Sequence, residues 1–221
     1  MTDELKLLAS KKAVTYLESD MILGVGTGST VDIFIDELGK SGLNFKKIFT
    51  TSERSKRKLN LNGFNVLPIS QFNEPISIYV DGADEIDHSL QMIKGGGGAL
   101  TLEKIVSHLS SCFLCIVDET KLVKNLGKFP LPVEVLKDAV NVFSWIISKD
   151  FGASSKVRDN PSDHGNAIID IYNLKITDPL KLEYEINSLP GVITNGIFAK
   201  RKADTALVGT KSGINVINNQ N

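Results

Sequence analysis

Apolar residues at Leu5, Leu8, Ala9, Ala13, Tyr16 and Leu17 recur at helical spacing, which predicts an amphipathic helix at the start of the chain. Short, nearly continuous apolar runs follow. MILGV, KKIFT, NVLPI, ISIYV and CFLCIV each have the length and composition of a buried strand. Between or beside them, STVDIFIDEL, SERSKRKLN and ALTLEKIVSHL read as helices. Strands that alternate with helices and carry no polar face predict an α/β fold with a largely parallel, doubly wound sheet. In such sheets a ligand sits where loops leave the carboxyl ends of the strands.

The pattern changes near FPLPVEVL, where Pro130 and Pro132 exclude a helix. Beyond it a helix (DAVNVFSWIISK), a strand (AIIDIY), a further helix and a strand (GVITNGIF) are expected. Asp178 followed by Pro179 supplies an N-cap with proline in the first turn, so the helix through LKLEYEI has a defined start. ALVGT and INVI read as strands that return to the main sheet.

Composition narrows the class of protein. The 221 residues are 42% hydrophobic and 23% charged, with a formal net charge of -1, which gives no field to draw in nucleic acid or an anionic membrane. No apolar run is long enough to span a bilayer. The first residues lack the basic-then-apolar layout of a signal peptide, so a cytoplasmic location is expected. Cys112 and Cys115 form a CxxC within a strand, where residues three apart point to opposite faces; buried structural thiols are expected. His88, His108 and His164 are scattered and form no ligand pair. Arg54, Lys56, Arg57 and Lys58 make a basic helix face, either simply solvated or a positive rim for a phosphorylated substrate.

Three loops could carry chemistry. LGVGTGST (residues 23–30) runs from a strand into a helix. Its glycines permit close backbone approach, Ser29 and Thr30 add hydroxyls, and the helix that follows offers free N–H groups to an anion such as phosphate. The spacing is neither GxGxxG nor a P-loop, and a tight turn without ligand is the competing reading. YVDGADEID (79–87) ends an apolar strand at Asp81, and Gly82 allows a turn toward Asp84, so two carboxylates could pass protons between sugar oxygens. A solvated acidic loop, or a divalent-metal site from Asp84, Glu85, Asp87 and His88, are the alternatives. IKGGGGALTLEKIV (93–106) holds four consecutive glycines, which suit a backbone wrapped on a ligand, with Lys94 before them as a cation for an oxyanion. Leu102, Ile105, Val106 and Leu109 are expected as the buried stripe of the next helix, with Glu103 about 100° away from Leu102. On its own such a glutamate reads as a surface residue.

Taken together, GVGTGST, TSERS, YVDGADEID, QMIKGGGGALTLEKI, DETK and LGKFPLPVEV, in that order, resemble the ribose-5-phosphate isomerase type A family. Weaker likeness continues through HGNAIID, DPLKLEYEI, LPGVITNGIFA and ALVG, so it covers essentially the whole chain. The resemblance implies a Rossmann-like catalytic domain, here residues 1–129 plus 204–221, with a small inserted α/β domain at 130–203. It implies a metal- and cofactor-free aldose–ketose isomerase in a homodimer, acting on a small sugar phosphate. Thr27, Gly28, Ser29 and Thr30 would bind the phosphate. Asp81, Gly82, Ala83 and Asp84 would contact the sugar, with Asp81 helping to open the ring. Lys94, Gly95, Gly96 and Gly97 would hold the oxygens of the reacting carbons, Lys121 would add a contact, and Glu103 would accept the proton. A carboxylate spanning C1 and C2 can move the proton through an enediolate, and fixed donors stabilise the charge that develops on oxygen. A sugar-phosphate-sensing module, or a deaminase or lactonase on a related fold, would need a different set of groups. SSKVRDNPSDHGN and Lys202 depart from the family pattern, outside the three loops.

Overall fold

Strand β1 (Ile22–Val25) is buried along its whole length, as an apolar run without polar alternation requires of a strand covered on both faces. In the computed structural model, which describes residues 2–219, β1 lies inside a seven-stranded sheet. Parallel to it run β2 (Lys47–Thr50) on one side and β4 (Ile76–Asp81) on the other. β3 (Val66–Leu67) continues beyond β2, and β7 (Ser110–Asp118) lies beside β4. β13 (Thr205–Thr210) is parallel to β7, and β14 (Gly213–Asn218) pairs with it antiparallel at the edge.

The strand order β14-β13-β7-β4-β1-β2-β3 reverses direction of progress at β1 and β4. Loops leaving the carboxyl ends of these two neighbours therefore open into one crevice, the place where ligands bind in sheets of this kind. Helix α1 (Thr2–Val14) buries Leu5, Ala9, Ser10 and Ala13, while Leu8 stays exposed and Tyr16 and Leu17 lie past the helix end. Helix α2 (Ser29–Gly39) buries Val31, Phe34, Ile35 and Leu38, the spacing of a single face. Helix α3 (Glu53–Leu61) is N-capped by Ser52, whose side chain accepts from Ser55 N.

Contacts divide the chain into two units: 1–83, 102–122 and 203–221 form the first, and 84–101 with 123–202 form the second. Residues 84–101 and 123–129, expected in the first domain, group with the second unit. There β5 (Glu85–Ile86) and β6 (Met92–Ile93) form a three-stranded sheet with β12 (Ile197–Phe198). Residue 1 and residues 220–221 of the expected domain lie outside the described residues.

The second unit's larger sheet has the order β11-β8-β10-β9, all antiparallel: β11 (Val192–Asn195), β8 (Leu131–Val135), β10 (Ala167–Tyr172) and β9 (Ser154–Val157). Helices α5 (Val140–Phe151) and α6 (Pro179–Asn187) contribute Phe143, Ile147, Leu182 and Ile186 to its core. The Asp178 side chain caps α6 by accepting from Lys181 N at 3.0 Å, as the Asp-Pro pair predicts.

One strand lies where the sequence reading only excluded a helix, and one strand assignment differs from the expectation. FPLPVEVL contains a fully buried strand, β8, despite Pro132. Pro132 O accepts from Gly196 N, and N and O of one strand residue point to the same side. The missing N–H therefore falls just past the end of the β11 ladder, which ends at Asn195 opposite Val133. GVITNGIF is not one strand but two, in different sheets, separated at Gly196. A Cβ there would overlap the Lys94 carbonyl, so the close approach needs glycine.

Candidate active site

In the first unit the turn after β1 and the end of β4 are tied together by one carboxylate. Asp81 is fully buried at the last position of β4. Its Oδ1 accepts from Thr27 N at 3.1 Å and from Gly82 N at 2.7 Å, and its Oδ2 accepts from the Tyr79 hydroxyl. Residues 79 and 81 lie two apart on a strand and share a face, which is why the phenol reaches the acid. A Cβ at Gly26 would overlap the Asp81 carboxyl, so glycine is what lets the loop lie against it. Burial first, then the nearby Asp81 and Glu103 carboxylates, raise the Tyr79 phenol well above the ordinary tyrosine value of 10.0.

The loop at 26–30 is braced from α3 and α1. Ser52 Oγ donates to Thr27 Oγ1 at 2.9 Å, and Ser55 Oγ donates to Gly26 O at 2.7 Å. The N-cap position of α2 is Gly28, which has no side-chain cap, so the first-turn N–H groups are left for another acceptor. Lys6, on α1, places Nζ 3.1 Å from Ser29 Oγ. A cation, the hydroxyls of Thr27, Ser29 and Thr30 and a helix amino end thus come together at residues 27–30. Sequence reading missed Lys6, because a lysine beside the buried Leu5 carries no pattern of its own.

Most of the basic cluster on α3 is matched by acids. Arg54 pairs with Asp32, Lys58 with Asp36 at 2.7 Å, and Lys56 with Glu53 at 3.3 Å.

Glu103 lies in the first turn of α4 (Leu100–His108) and is 3% exposed. The buried face of α4 is not the expected one. Leu100, Glu103, Val106 and Ser107 are buried, whereas Ile105 is 41% exposed and Leu102 and Leu109 are half-buried. Leu100, Glu103 and Ser107 follow i, i+3, i+7 spacing, so the glutamate sits within the inward stripe rather than beside it. Lys121 belongs to the same unit, on a 3₁₀ turn (Glu119–Lys121) whose start is capped by the Asp118 side chain accepting from Thr120 N.

The second unit holds Asp84, Lys94 and the glycine loop. Asp84 Oδ2 accepts from Gly96 N at 2.8 Å, and a Cβ on Gly96 would lie 2.6 Å from Asp84 Oδ1. Lys94 follows β6, is 3% exposed, anchors its backbone N to Gly196 O at 2.9 Å, and sets Nζ 5.6 Å from the centre of the Phe198 ring. The other acids of this stretch hold backbone. Glu85 accepts from Gly127 N and Phe129 N at 2.7 and 2.6 Å, and Asp87 accepts from Ser89 N and Gln91 N. Those bonds occupy the carboxylates that a metal site with Asp84 and His88 would need. Among the described residues no three His, Cys, Asp or Glu side chains gather in a metal-binding group.

Both cysteines lie on β7, Cys115 buried and Cys112 half-buried. No helix among the described residues is long and apolar enough to cross a membrane.

Residues 47–213 match the family model for ribose 5-phosphate isomerase A (phosphoriboisomerase A). A ribose-5-phosphate isomerase A of Legionella pneumophila (strain Corby) is 45% identical over 213 residues, covering 96% of this chain and 98% of that protein. The crystal structure of ribose 5-phosphate isomerase A from Neisseria gonorrhoeae superposes with a TM-score of 0.97 at 43% identity, over 100% of this chain and 99% of that one. A D-ribose-5-phosphate isomerase in complex with phospho-erythronic acid gives a TM-score of 0.93 at 38% identity, over 99% of both chains. With likeness at this level running from end to end, the chain belongs to the ribose 5-phosphate isomerase A family.

Proposed function

We propose that the protein interconverts D-ribose 5-phosphate and D-ribulose 5-phosphate through an enediolate, as an aldose–ketose isomerase of the non-oxidative pentose phosphate pathway. The observation that carries this reading is the burial of Glu103, 3% exposed on the inward face of α4. A carboxylate is withdrawn from water at this cost only when its chemistry or its partners require it.

In this scheme Glu103 removes the proton from C2 and returns it to C1. Lys94 and the loop Gly95 to Gly97, whose Gly97 N–H is open while the Gly96 N–H is held by Asp84, hold the oxygens on which charge develops. Asp81 and Asp84, with Gly82 and Ala83, bind the sugar, and Asp81 assists ring opening. Thr27, Gly28, Ser29 and Thr30 take the phosphate together with Lys6, and Lys121 adds a substrate contact. A fixed ammonium and backbone donors meet the charge of the enediolate, so the scheme uses no metal or organic cofactor. The family relationship supports a cytoplasmic homodimer, which sedimentation of the purified protein would test.

Incubating the protein with ribose 5-phosphate in deuterated water tests the reaction itself. Ribulose 5-phosphate should form with deuterium at C1, because a carboxylate base exchanges its proton with solvent between the two transfers. Binding of the sugar phosphate without turnover would contradict the isomerase and favour a sensing module.

A further inference from the structure

The glycine loop bends through conformations in which two successive carbonyls, those of Gly95 and Gly96, accept from a side chain outside the loop. Gly95 has φ +101°, a region side-chain-bearing residues rarely enter. The loop's internal bond is Gly98 N to Gly95 O at 3.0 Å, and Asp84 takes the Gly96 N–H. Further support comes from the β9–β10 hairpin. Arg158, just past β9, donates from Nη1 to Gly95 O at 3.0 Å and to Gly96 O at 3.1 Å. Its other edge is gripped by Asp170 of β10, with Nε to Oδ2 at 2.8 Å and Nη2 to Oδ1 at 2.7 Å.

This fork-to-fork pairing fixes the guanidinium plane and leaves its free edge aimed at two successive carbonyls. A cleft of about 380 Å³ opens beside Gly96, Gly97 and Gly98, lined also by Arg158, Asp170 and Tyr172. Gly96 and Gly97 are exposed. Among the described residues none accepts from the Gly97 N–H, which stays open to a ligand.

We propose that Arg158, held by Asp170, is a positioning residue for the isomerisation. By pinning the carbonyls of Gly95 and Gly96, while Asp84 holds the Gly96 N–H, it sets the direction in which the Gly97 N–H points, and with it a donor that meets the enediolate. The inference rests on the isomerase reading of the glycine loop. A peptide unit is planar, so a carbonyl fixed on one side fixes the following N–H on the other. Donors of this kind act on charge that appears only as the reaction proceeds, so their misplacement slows turnover more than it weakens substrate binding.

The test compares wild type with Arg158→Ala, Arg158→Lys and Asp170→Asn. Lysine keeps the charge but cannot bridge two carbonyls and a carboxylate at once. Expected are a kcat lower by roughly 10- to 100-fold in both Arg158 variants, a KM for ribose 5-phosphate within about threefold of wild type, and a smaller kcat loss in Asp170→Asn. Amide hydrogen exchange at residues 95–98 should quicken in all three. Affinity for phospho-erythronic acid, whose carboxylate offers two oxygens as an enediolate does, should fall with kcat. If Arg158→Ala does not fold, Arg158→Lys and Asp170→Asn carry the comparison. Unchanged kcat in folded variants overturns the proposal, as does a change in KM alone or a loss of kcat with loop exchange unaltered. A wild type that fails to turn over ribose 5-phosphate would instead break the isomerase reading and remove the catalytic role, while loop exchange would still decide whether Arg158 pins the loop.

Discussion

The backbone N–H of Thr27 donates to Asp81 Oδ1 at 3.1 Å, joining the turn after β1 to the last residue of β4. One carboxylate thereby holds the loop at 26–30 against the strand end that begins the acidic loop. Gly82 N and the Tyr79 hydroxyl also donate to it, so both oxygens of the buried carboxyl are engaged.

Gly26 is the position at which this tie can be broken with least chemistry. An alanine Cβ would overlap the Asp81 carboxyl, so either the loop or the acid must move. Gly26→Ala should destabilise the fold by about 1–3 kcal/mol and lower kcat/KM by roughly 100-fold. Urea denaturation and steady-state kinetics on the same preparation check both effects. Unchanged kinetics would mean that the tie does not matter to turnover.

Tyr79 links stability to pH. Its phenol is raised above 10.0 in the folded protein by burial and by the carboxylates of Asp81 and Glu103. As pH rises past the ordinary tyrosine value the unfolded chain loses this proton while the folded chain keeps it, so the unfolded state binds fewer protons and stability falls. The contribution is complete below about pH 10 and lost as pH climbs toward the folded value. Tyr79→Phe should therefore show a shallower loss of stability above pH 10 than wild type, measured by urea denaturation across pH 8–11. Parallel curves would contradict this role.

Lys6 adds a cation to the loop at 27–30 through Ser29. A phosphate far from the reacting carbons is bound alike in ground and transition states, so Lys6→Ala should raise KM for ribose 5-phosphate about tenfold with a much smaller change in kcat. Steady-state kinetics at two ionic strengths give the measurement. An equal fall in kcat and kcat/KM would place Lys6 elsewhere in the reaction.

The buried Glu134 of β8 collects donors from three places: Thr101 Oγ1, Ser162 Oγ at 2.7 Å and Asn166 Nδ2 at 2.9 Å. Thr101→Val keeps the shape and removes one donor from a fully buried carboxylate. A loss of about 1–3 kcal/mol in urea denaturation is expected. Stability equal to wild type would show that the remaining donors suffice.

Much of the architecture is legible in the sequence because apolar runs and helical spacing are local signals. The strands around Leu23, Phe49, Val80 and Leu114, the inward stripe of α2 and the Asp178 cap all follow from residues close together in the chain. What is hidden depends on partners far away. Pro132 sits in a strand because the neighbouring ladder has ended beside it, and Gly196 divides GVITNGIF because Lys94 O passes close by. Glu103 reads as a surface residue until the inward face of α4 is seen to run through Leu100 and Ser107. Lys6 and Arg158 act through a hydroxyl and two carbonyls that no spacing reveals, whereas Tyr79 was within reach, being two residues before Asp81 on one strand.

The most direct measurement compares chelator-treated wild type with Glu103→Gln on ribose 5-phosphate, following ribulose 5-phosphate. Glutamine preserves the size of the buried side chain but cannot accept the proton. Metal-free turnover in wild type and a loss of roughly 10⁴-fold or more in the variant are expected if Glu103 is the base. A variant that retained turnover near the wild-type rate would contradict that assignment, and an inactive wild type would contradict the proposed reaction itself.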